Sequence, residues 1–471
     1  MSLNPVTSAF RDKLIAAIGA RDVIDATPKY LEEPRGRFAA EPTVLVIPRS
    51  TEDVAKIVKL CAAEHVGIVP YAGGTGLVGG QTKPKGGPSA LVLSVEKMTK
   101  IRELDAQGGV MTVEAGAVLA DIHAAAEAEN LIYPVSLASE GSCQIGGTLA
   151  TNAGGVNVLR YGNTRDVVLG VEAVMPDGSI LQGLKKLRKD NTGYDLRHLL
   201  VGSEGSLGII TAASLRLFPT PSDRATAWMV VPGPREAVAL LKRFQGKLDG
   251  LISAFELMNR LGLEFVREHI PNVDAPFADL PEWSVLIDFG AGPGANLEDR
   301  LLAAFEEAME QGLVLDAVLA QSEAQRDAMW AVRESIPLGN RAVGAVSNHD
   351  ISVPVAAIPE FISTADAAVT QLGPLRVGAF GHVGDGNLHY NVYPMPGQTR
   401  DAHDNLRPAI KDLVHDLVHR FDGSVSAEHG VGRMKVEDLK TYSDPTKLAV
   451  MRSVKQAIDP LGIMNPGVFF G

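Results

Sequence analysis

The sequence has few cysteines, few aromatic residues and fewer basic than acidic side chains. Two cysteines, Cys61 and Cys143, cannot form a disulfide framework, and Cys61 falls on the apolar face of a predicted helix, where we expect a core residue. The net charge of −12 argues against nucleic acid or an anionic membrane surface as the main partner. Residues 1–20 contain charges and no long apolar run. They predict neither a signal peptide nor a spanning helix, so we expect a cytoplasmic protein.

A chain of 471 residues exceeds what one hydrophobic core supports, so two or three domains are expected. Residues 1–220 alternate strand and helix patterns and predict a first domain of two lobes, about 1–100 and 101–220. Residues 221–425 predict α+β architecture with an antiparallel sheet, and residues 426–471 form a C-terminal segment. The clearest predicted strands lie at 43–47, 67–70, 91–95, 110–114, 227–231, 254–257, 283–288 and 346–353, and the clearest helices at 117–129, 296–311, 324–336, 404–421 and 445–458.

Three glycine-rich loops lie in the predicted first domain, at residues 73–80, 146–155 and 202–208. The first contains a G-x-G-x-x-G match at Gly74, Gly76 and Gly79. A nicotinamide-binding Rossmann fold needs a helix directly after these glycines, and residues 81–88 do not have a helix-forming sequence. What remains is a loop whose backbone N–H groups can converge on a pyrophosphate. Three such loops in one domain predict an extended ligand, larger than a mononucleotide.

Residues 375–393 predict a β-hairpin with Asp385-Gly386 as a two-residue turn. This register places His382 opposite His389, with their Cβ atoms about 5 Å apart on one face. Polar strand residues that face water are the alternative, but Glu428 follows downstream and can add a carboxylate to the two imidazoles. Two histidines and one carboxylate leave coordination positions open, as in a catalytic metal site.

His429 follows Glu428 directly, and adjacent side chains of an extended backbone point in opposite directions. One of the two can therefore bind a metal ion while its neighbour acts as a base. A structural zinc site is disfavoured, because cysteines are few and the sequence shows no evident fourth protein ligand.

The chain resembles the FAD-linked oxidases of the vanillyl-alcohol oxidase and p-cresol methylhydroxylase type. Within that family it is most similar to the D-2-hydroxyglutarate and D-lactate dehydrogenases. The resemblance covers nearly the whole chain, through the segments at 73–80, 152–155, 202–210, 382–389, 427–430 and 465–466. It implies a two-lobed FAD-binding domain, an α+β cap domain with an antiparallel sheet, and a C-terminal helical segment that returns to the FAD site.

FAD is the cofactor that this resemblance implies. Residues 71–81 contain no histidine, so the flavin is expected to be bound without a covalent link there. The residues expected to contact it are Pro70, Gly73, Gly74, Thr75, Gly76, Leu77, Gly79, Gly80, Ser139, Gly141, Ser142, Gly146, Thr148, Asn152, Gly154, Gly155, Gly162, Glu204, Gly205, Ile210 and Asn465. A Cβ at Gly74 is expected to stand between the backbone and a phosphate.

The resemblance also implies oxidation of a D-2-hydroxy acid to the 2-oxo acid, with hydride transfer to flavin N5. His382, His389 and Glu428 would hold a divalent ion, commonly zinc, which makes the substrate hydroxyl more acidic. His429 would be the base, and Arg333 would clamp the substrate carboxylate. Asn391 shares the strand face of His389 and can also reach the substrate. An electron-transfer flavoprotein, a cytochrome or a quinone is expected as acceptor, and a homodimer as the assembly.

Several alternatives remain open from the sequence. Hydroxyglutarate dehydrogenases usually carry a lysine where this chain has Asn348 and a threonine where it has Pro337, so D-lactate or another monocarboxylate is the alternative substrate. Arg341 or Lys435 can compensate for the missing cation. Arg333 is nearly as well explained as a solvated helix residue paired with Glu334 or Asp327. A flavin electron carrier without substrate chemistry would keep the glycine loops but would not need the histidines.

Overall fold

The structure is a computed structural model, and it describes residues 3–37, 39–83, 86, 90–248 and 250–470. Its strands are β1 (Val23–Asp25), β2 (Val44–Val46), β3 (Gly67–Tyr71), β4 (Ala90–Ser94), β5 (Ile101–Asp105), β6 (Val110–Glu114), β7 (Leu131–Ile132), β8 (Val168–Val174), β9 (Ile180–Gly183), β10 (Ile209–Arg216), β11 (Phe218–Pro219), β12 (Asp223–Val231), β13 (Ile252–Asn259), β14 (Trp283–Ala291), β15 (Asp316–Leu319), β16 (Ser347–Ser352), β17 (Leu375–His382) and β18 (Asn387–Pro394).

Its helices are α1 (Ser8–Ile18), α2 (Pro28–Leu31), α3 (Thr51–Glu64), α4 (Leu119–Glu127), α5 (Ile145–Thr151), α6 (Val158–Tyr161), α7 (Leu196–Leu200), α8 (Pro234–Lys247), α9 (Arg260–His269), α10 (Leu297–Glu310), α11 (Glu323–Val343), α12 (Ile358–Leu372), α13 (Arg407–Arg420), α14 (Val436–Tyr442) and α15 (Pro445–Ile458). No helix in the described ranges is long and apolar enough to cross a membrane.

The chain divides into two compact units. Unit 1 contains residues 1–154, 162–220 and 429–471, and unit 2 contains residues 155–161 and 221–428. Unit 1 holds two main sheets. A four-stranded sheet has the order β1-β2-β4-β3, in which β2, β4 and β3 are parallel. A five-stranded antiparallel sheet has the order β5-β6-β10-β8-β9.

Helix α3 shows how local sequence sets the start of an element. The Ser50 side chain accepts a hydrogen bond from the Asp53 backbone N–H at 3.2 Å, which satisfies one of the otherwise unpaired donors of the first turn. Val54, Ile57 and Cys61 repeat at helical spacing and are fully buried. Burial raises the pKa of the Cys61 thiol, so this residue is a core side chain, as the sequence predicts.

The C-terminal part of the chain completes the parallel sheet of unit 1. The Ile68 N–H donates to Ile463 O at 2.8 Å, and the Asn465 N–H donates to Ile68 O at 2.8 Å. These bonds form a parallel bridge between β3 and the segment around Met464. Residues more than 390 positions apart in the sequence therefore form one sheet edge.

Unit 2 contains a seven-stranded antiparallel sheet in the order β15-β12-β14-β13-β17-β18-β16. The antiparallel α+β architecture predicted for this region is confirmed. Helices α8, α10, α12 and α13 pack on one face through a large aliphatic cluster. Helices α9 and α11 pack on the opposite face against Trp228, Met258 and Phe380.

Two details of unit 2 differ from the sequence predictions. Helix α11 does not end at Ile336 but continues through Pro337 to Val343. Gly339 explains why, because a Cβ there would lie 3.0 Å from the Phe265 backbone, so the second half of α11 packs directly on α9. The packing outweighs the cost of an internal proline.

The predicted hairpin register is also wrong, by two residues. Phe380, rather than His382, pairs with His389, and residues 383–386 form a four-residue turn. The last residues of β17 pair instead with β13, where His382 lies opposite Glu256. His382 and His389 still lie on one sheet face, as diagonal neighbours whose ring centroids are 5.8 Å apart.

Candidate functional site

The glycine loop after β3 presents backbone donors that have no protein acceptor in the part of the chain that the structure describes. No backbone N–H from Gly73 to Gln81 donates to another of the described residues. The carbonyl groups of the loop are occupied: Gln81 Nε2 donates to Gly74 O at 3.3 Å and to Gly76 O at 2.7 Å. Arg433 Nη1 donates to Gly79 O and Gly80 O, each at 2.8 Å. A loop with paired carbonyls and unpaired N–H groups fits the pyrophosphate of FAD.

Glycine is required at the tip of this loop for conformational reasons. Gly74 has φ +73° and Gly79 has φ +71°, values that favour glycine. A Cβ at Gly74 would overlap the hydroxyl of Tyr71. Tyr71 is thus one reason for glycine at position 74, and the expected clash with a phosphate stays a prediction. Residues 81–83 and 86 are not helical, as predicted, and the rest of 84–89 lies outside the described residues.

Three other predicted cofactor residues of unit 1, Ser142, Glu204 and Gly205, lie next to this loop or to the strand before it. A Cβ at Gly73 would overlap Ser142 O, and a Cβ at Gly205 would lie 2.8 Å from the Pro70 ring. Glu204 N–H donates to Ala150 O at 2.8 Å, directly before Thr151 at the end of α5. The three glycine loops of the sequence thus converge within unit 1.

Several of these residues contact protein atoms. Gly146 allows close packing, since its Cβ would lie 2.8 Å from the Ala115 Cβ. Thr148 is buried and donates to Ile145 O at 3.0 Å. Asn152 accepts the Arg165 N–H at 2.9 Å. Their contacts with a cofactor, and those of Thr75, Leu77, Ser139, Gly141, Gly154, Gly162 and Ile210, stay predictions, and Gly155 lies in unit 2.

Glu204 and Asn465 fasten the loops to the C-terminal part of unit 1. Glu204 Oε1 and Oε2 accept the N–H groups of Val431 and Gly432 at 2.8 and 2.7 Å. Burial raises the pKa of Glu204 to about 7, although these two hydrogen bonds act in the opposite direction. Asn465 Nδ2 donates to Gly80 O and Glu204 O at 3.0 and 2.7 Å, and its Oδ1 accepts Arg433 Nη2 at 2.6 Å. Arg433 is a residue that the sequence reasoning missed.

In unit 2, Glu256 on β13 connects two predicted site residues. Its side chain is fully buried. Oε1 lies 2.7 Å from His382 Nδ1, and Oε2 accepts Arg333 Nη2 at 2.6 Å and Nε at 2.8 Å. Burial alone would raise the pKa of Glu256, but the positive charges of His382 and Arg333 lower it to about 2. The sequence reasoning missed Glu256 as well.

His382, His389 and Glu428 offer three potential metal ligands whose donor atoms all lie within 4.8 Å of one another. His382 Nε2 is 3.7 Å from Glu428 Oε1. Two zinc ligands at a tetrahedral angle lie roughly 3.3 Å apart. The His382–Glu428 pair is a few tenths of an ångström wider than that, and the three residues could hold a divalent ion if their donor atoms moved closer together. Two imidazoles and one carboxylate leave coordination positions open, as in a catalytic site.

A carboxylate lies beside each of the two histidines, and the one beside His382 determines which of its ring nitrogens faces the site. Glu256 occupies His382 Nδ1, which leaves Nε2 directed at Glu428. Asp350 Oδ1 lies 4.0 Å from His389 Nδ1, and Asp350 Oδ2 accepts the Glu428 N–H at 3.1 Å. Burial lowers the pKa of His389 to about 4, so this imidazole is neutral. Burial would lower the pKa of His382 too, but Glu256 raises it to about 9.

Arg333 lies on α11 and is 5% exposed, so the alternative of a solvated helix arginine is wrong. Its Nε and Nη2 bind Glu256, and its guanidinium carbon lies 5.0 Å from the Phe380 ring centroid. Asn391 is buried, and its Oδ1 accepts Asn348 Nδ2 at 3.1 Å across the β16–β18 pair. His429 is the first residue of the last segment of unit 1, and its role as a base stays a prediction.

Comparison with known proteins gives the class. A family model described as FAD linked oxidases, C-terminal domain, matches residues 220–469, and one described as FAD binding domain matches residues 42–183. The chain belongs to the FAD-linked oxidases. D-2-hydroxyglutarate dehydrogenase of Xanthomonas citri pv. viticola is 38% identical, with 92% of this chain and 90% of that protein covered. The protein of the same name from Stutzerimonas stutzeri is 37% identical, with 95% of each chain covered.

Solved structures show the same fold. p-Cresol methylhydroxylase with substrate bound aligns over 99% of this chain and 98% of its own, with a TM-score of 0.75 and 15% identity. 4-Ethylphenol oxidase from Gulosibacter chungangensis in an isoeugenol complex aligns over 100% and 99%, with a TM-score of 0.74 and 17% identity. An FAD-binding domain and a second domain with an antiparallel sheet are thus confirmed.

Proposed function

We propose that this FAD-dependent oxidoreductase oxidises D-2-hydroxyglutarate to the corresponding 2-oxo acid. The relatives at 37–38% identity are named for that activity. The observation that carries the proposal is the buried chain Arg333–Glu256–His382 beside His389 and Glu428. It provides a cation and three potential metal ligands close together within unit 2.

FAD, when bound, supplies the acceptor for the hydride that leaves the substrate. The unpaired N–H groups of Gly73–Gln81 support a pyrophosphate there, bound without a covalent link. A divalent ion, proposed to be zinc, would be held by His382, His389 and Glu428 and would make a bound hydroxyl more acidic.

The roles of the surrounding residues follow from their contacts. Glu256 occupies the Nε–Nη2 edge of Arg333, so the Nη1 donors and the second N–H of Nη2 are the ones proposed to bind a substrate carboxylate. Glu256 bonds to His382 and Asp350 accepts the Glu428 N–H, and these contacts support a role for both carboxylates in orienting the proposed ligands. His429 is proposed as the base and Asn391 as a further substrate contact.

A second candidate substrate is D-lactate or another monocarboxylate. Asn348 supports it, because its amide bonds to Asn391 and carries no charge for a distal carboxylate. Arg341, four residues after Pro337 on the same helix, is the cation that would favour the dicarboxylate instead. We further propose domains at 1–220, 221–425 and 426–471, a homodimer, and an electron-transfer flavoprotein, a cytochrome or a quinone as acceptor.

The substrate proposal is tested by a screen of D- and L-2-hydroxy acids with an artificial dye as electron acceptor. We expect kcat/KM for D-2-hydroxyglutarate to exceed that for D-lactate by roughly tenfold or more, about 1.4 kcal/mol. The L-enantiomers should be inactive. A preference for D-lactate would establish the second candidate, and equal rates with both enantiomers would refute the site as described.

The proposed pyrophosphate site is formed by the N–H groups of Gly73–Gln81 and is called the cradle below. It is tested by a matched pair of variants at Thr75, in the middle of the loop. Thr75→Glu introduces a negative charge beside the proposed pyrophosphate, whereas Thr75→Gln adds nearly the same volume without charge. We expect Thr75→Glu to lose FAD and Thr75→Gln to retain it, measured as the ratio of flavin to protein absorbance. Equal flavin content in the two variants would place the pyrophosphate elsewhere.

A further inference from the structure

Arg433 and Gln81 each bind two or more carbonyl groups of the glycine loop from within unit 1, and Asn465 adds a bond to Gly80 O. Arg433 Nη1 donates to Gly79 O and Gly80 O at 2.8 Å and to Thr82 O at 3.4 Å. Gln81 Nε2 donates to Gly74 O and Gly76 O. Four of the carbonyl groups between residues 74 and 80 are thus fixed by two side chains.

The orientation of a carbonyl also fixes the orientation of the next N–H. The peptide bonds of the described residues are trans, and in a trans peptide the C=O and N–H point in opposite directions. When Gly79 O and Gly80 O point at Arg433, the N–H groups of Gly80 and Gln81 must point away from it. The same relation holds for Thr75 and Leu77, whose N–H groups follow the carbonyls that Gln81 binds.

Arg433 is itself held in place by the C-terminal part of unit 1. Its Nη2 donates to Asn465 Oδ1 at 2.6 Å and to Pro466 O at 2.9 Å. Glu204 binds the two residues before it through the Val431 and Gly432 N–H groups. Burial lowers the pKa of Arg433 to about 10, which leaves the guanidinium charged at neutral pH. A buried positive charge behind the loop also favours an anion on the other side.

We propose that Arg433 and Gln81 are positioning residues for FAD. They turn the peptide groups of the glycine loop so that its N–H groups face the pyrophosphate, and neither side chain needs to touch the cofactor. The inference rests on the proposed location of the pyrophosphate in this loop. It assigns to the C-terminal part of the chain a direct part in FAD affinity.

The test compares full-length Arg433→Met, Arg433→Lys and Gln81→Met with the unaltered protein. Each is dialysed against defined concentrations of FAD, and the dissociation constant is obtained from the bound flavin absorbance. Arg197→Met is the matched control, because Arg197 Nη1 also binds two successive carbonyls, Val168 O and Leu169 O, at 2.9 and 3.1 Å. The rise in Tm on adding FAD is measured in parallel.

We expect Arg433→Met and Gln81→Met to raise the dissociation constant of FAD by tenfold or more. Arg433→Lys should be intermediate, since an ammonium group can still donate to one carbonyl. A tenfold loss reduces the FAD-dependent stabilisation by about 1.4 kcal/mol at saturating FAD. Arg197→Met should lower the Tm with and without FAD equally and leave the dissociation constant within twofold.

The outcomes separate this inference from the proposed cradle. If Gln81→Met and Arg433→Lys both bind FAD within twofold of the unaltered protein, the positioning role is refuted, whatever happens to the folding of Arg433→Met. If in that case Thr75→Glu still loses FAD, the cradle stands and only the positioning role is wrong. If Thr75→Glu keeps FAD, the cradle itself is wrong and this inference falls with it.

Discussion

The substitution Glu256→Gln tests the buried charge cluster of unit 2 directly. Glu256 is fully buried and accepts hydrogen bonds from Arg333 and His382 at 2.6–2.8 Å. Glutamine keeps the shape but can accept on one side only, and its amide group opposes the donor on the other side. Removing one partner of a buried ion pair costs about 3–5 kcal/mol, because the remaining charges stay buried without compensation. We expect a loss of stability of this size.

Tryptophan fluorescence during urea denaturation measures this loss in the correct part of the molecule. The three tryptophans of the sequence, Trp228, Trp283 and Trp330, all lie in unit 2. Glu282→Gln is the control, since the Glu282 side chain is 74% exposed and its ion pair with Arg260 should contribute less than about 1 kcal/mol. In the double variant Glu256→Gln/Arg333→Met, the buried cation that had lost its carboxylate partner is also removed. This variant should recover part of the lost stability.

The same cluster gives a pH dependence with a defined sign. The pKa of Glu256 lies near 2 in the folded protein, below its ordinary value of 4.5. Its stabilising contribution is therefore fully present above pH 4.5 and is lost as the pH falls toward 2. Acid should therefore reduce the stability of Glu256→Gln less than that of the unaltered protein, because the variant has no carboxylate at this position. The reasoning is refuted if Glu256→Gln stays within 1 kcal/mol of the unaltered protein, or if the double variant loses the sum of the single losses.

Four further outcomes are expected. Denaturation should release intact FAD into the supernatant, and flavin that remains on the precipitated chain would contradict non-covalent binding. A chelator should reduce turnover without removing FAD, and His389→Ala should do the same; unchanged rate and metal content would exclude the metal site. Glu204 has a folded pKa of about 7 against 4.5, so its proton stabilises the fold below pH 4.5 and that contribution is lost as the pH rises to 7. The Tm should therefore fall between pH 5 and pH 8, and it should fall less in Glu204→Gln. Parallel curves of Tm against pH for the two proteins would refute the raised pKa of Glu204. Asn348→Lys should raise kcat/KM for D-2-hydroxyglutarate relative to D-lactate by roughly tenfold, and an unchanged ratio would show that position 348 does not face the distal carboxylate.

The sequence predicts the strands and helices of both units well where the apolar pattern is strong. β6 and α15 occupy the predicted residues, and the antiparallel sheet of unit 2 was correctly inferred. The hairpin register could not be read from Asp385-Gly386 alone. Asp385 accepts the Asn387 N–H at 3.0 Å, so the turn is built by this side chain and is two residues longer than the dipeptide predicts.

Glu256 could have been found from the sequence, whereas Arg433 could not. Glu256 is the one charged residue of a strand, Ile252–Asn259, whose other residues are apolar or uncharged. A carboxylate in such a run must be paired when the strand is central, and this signal points to cationic partners. Arg433 follows two glycines in a segment without periodic pattern, and its contacts depend on a loop some 350 residues earlier in the chain.

The bridge between β3 and the segment around Met464 constrains how the protein is made. Unit 1 is interrupted by nearly all of unit 2, so the bridge to Met464 and the bonds of Arg433 to the glycine loop can form only after residues 429–466 have been synthesised. Unit 2 has its own core and can fold while the ribosome is still translating. The glycine loop is among the earlier segments to emerge, but its bonds to Arg433 form only when the last part of unit 1 has been made. For the FAD site proposed above, this order predicts that cofactor loading comes after the synthesis of unit 2.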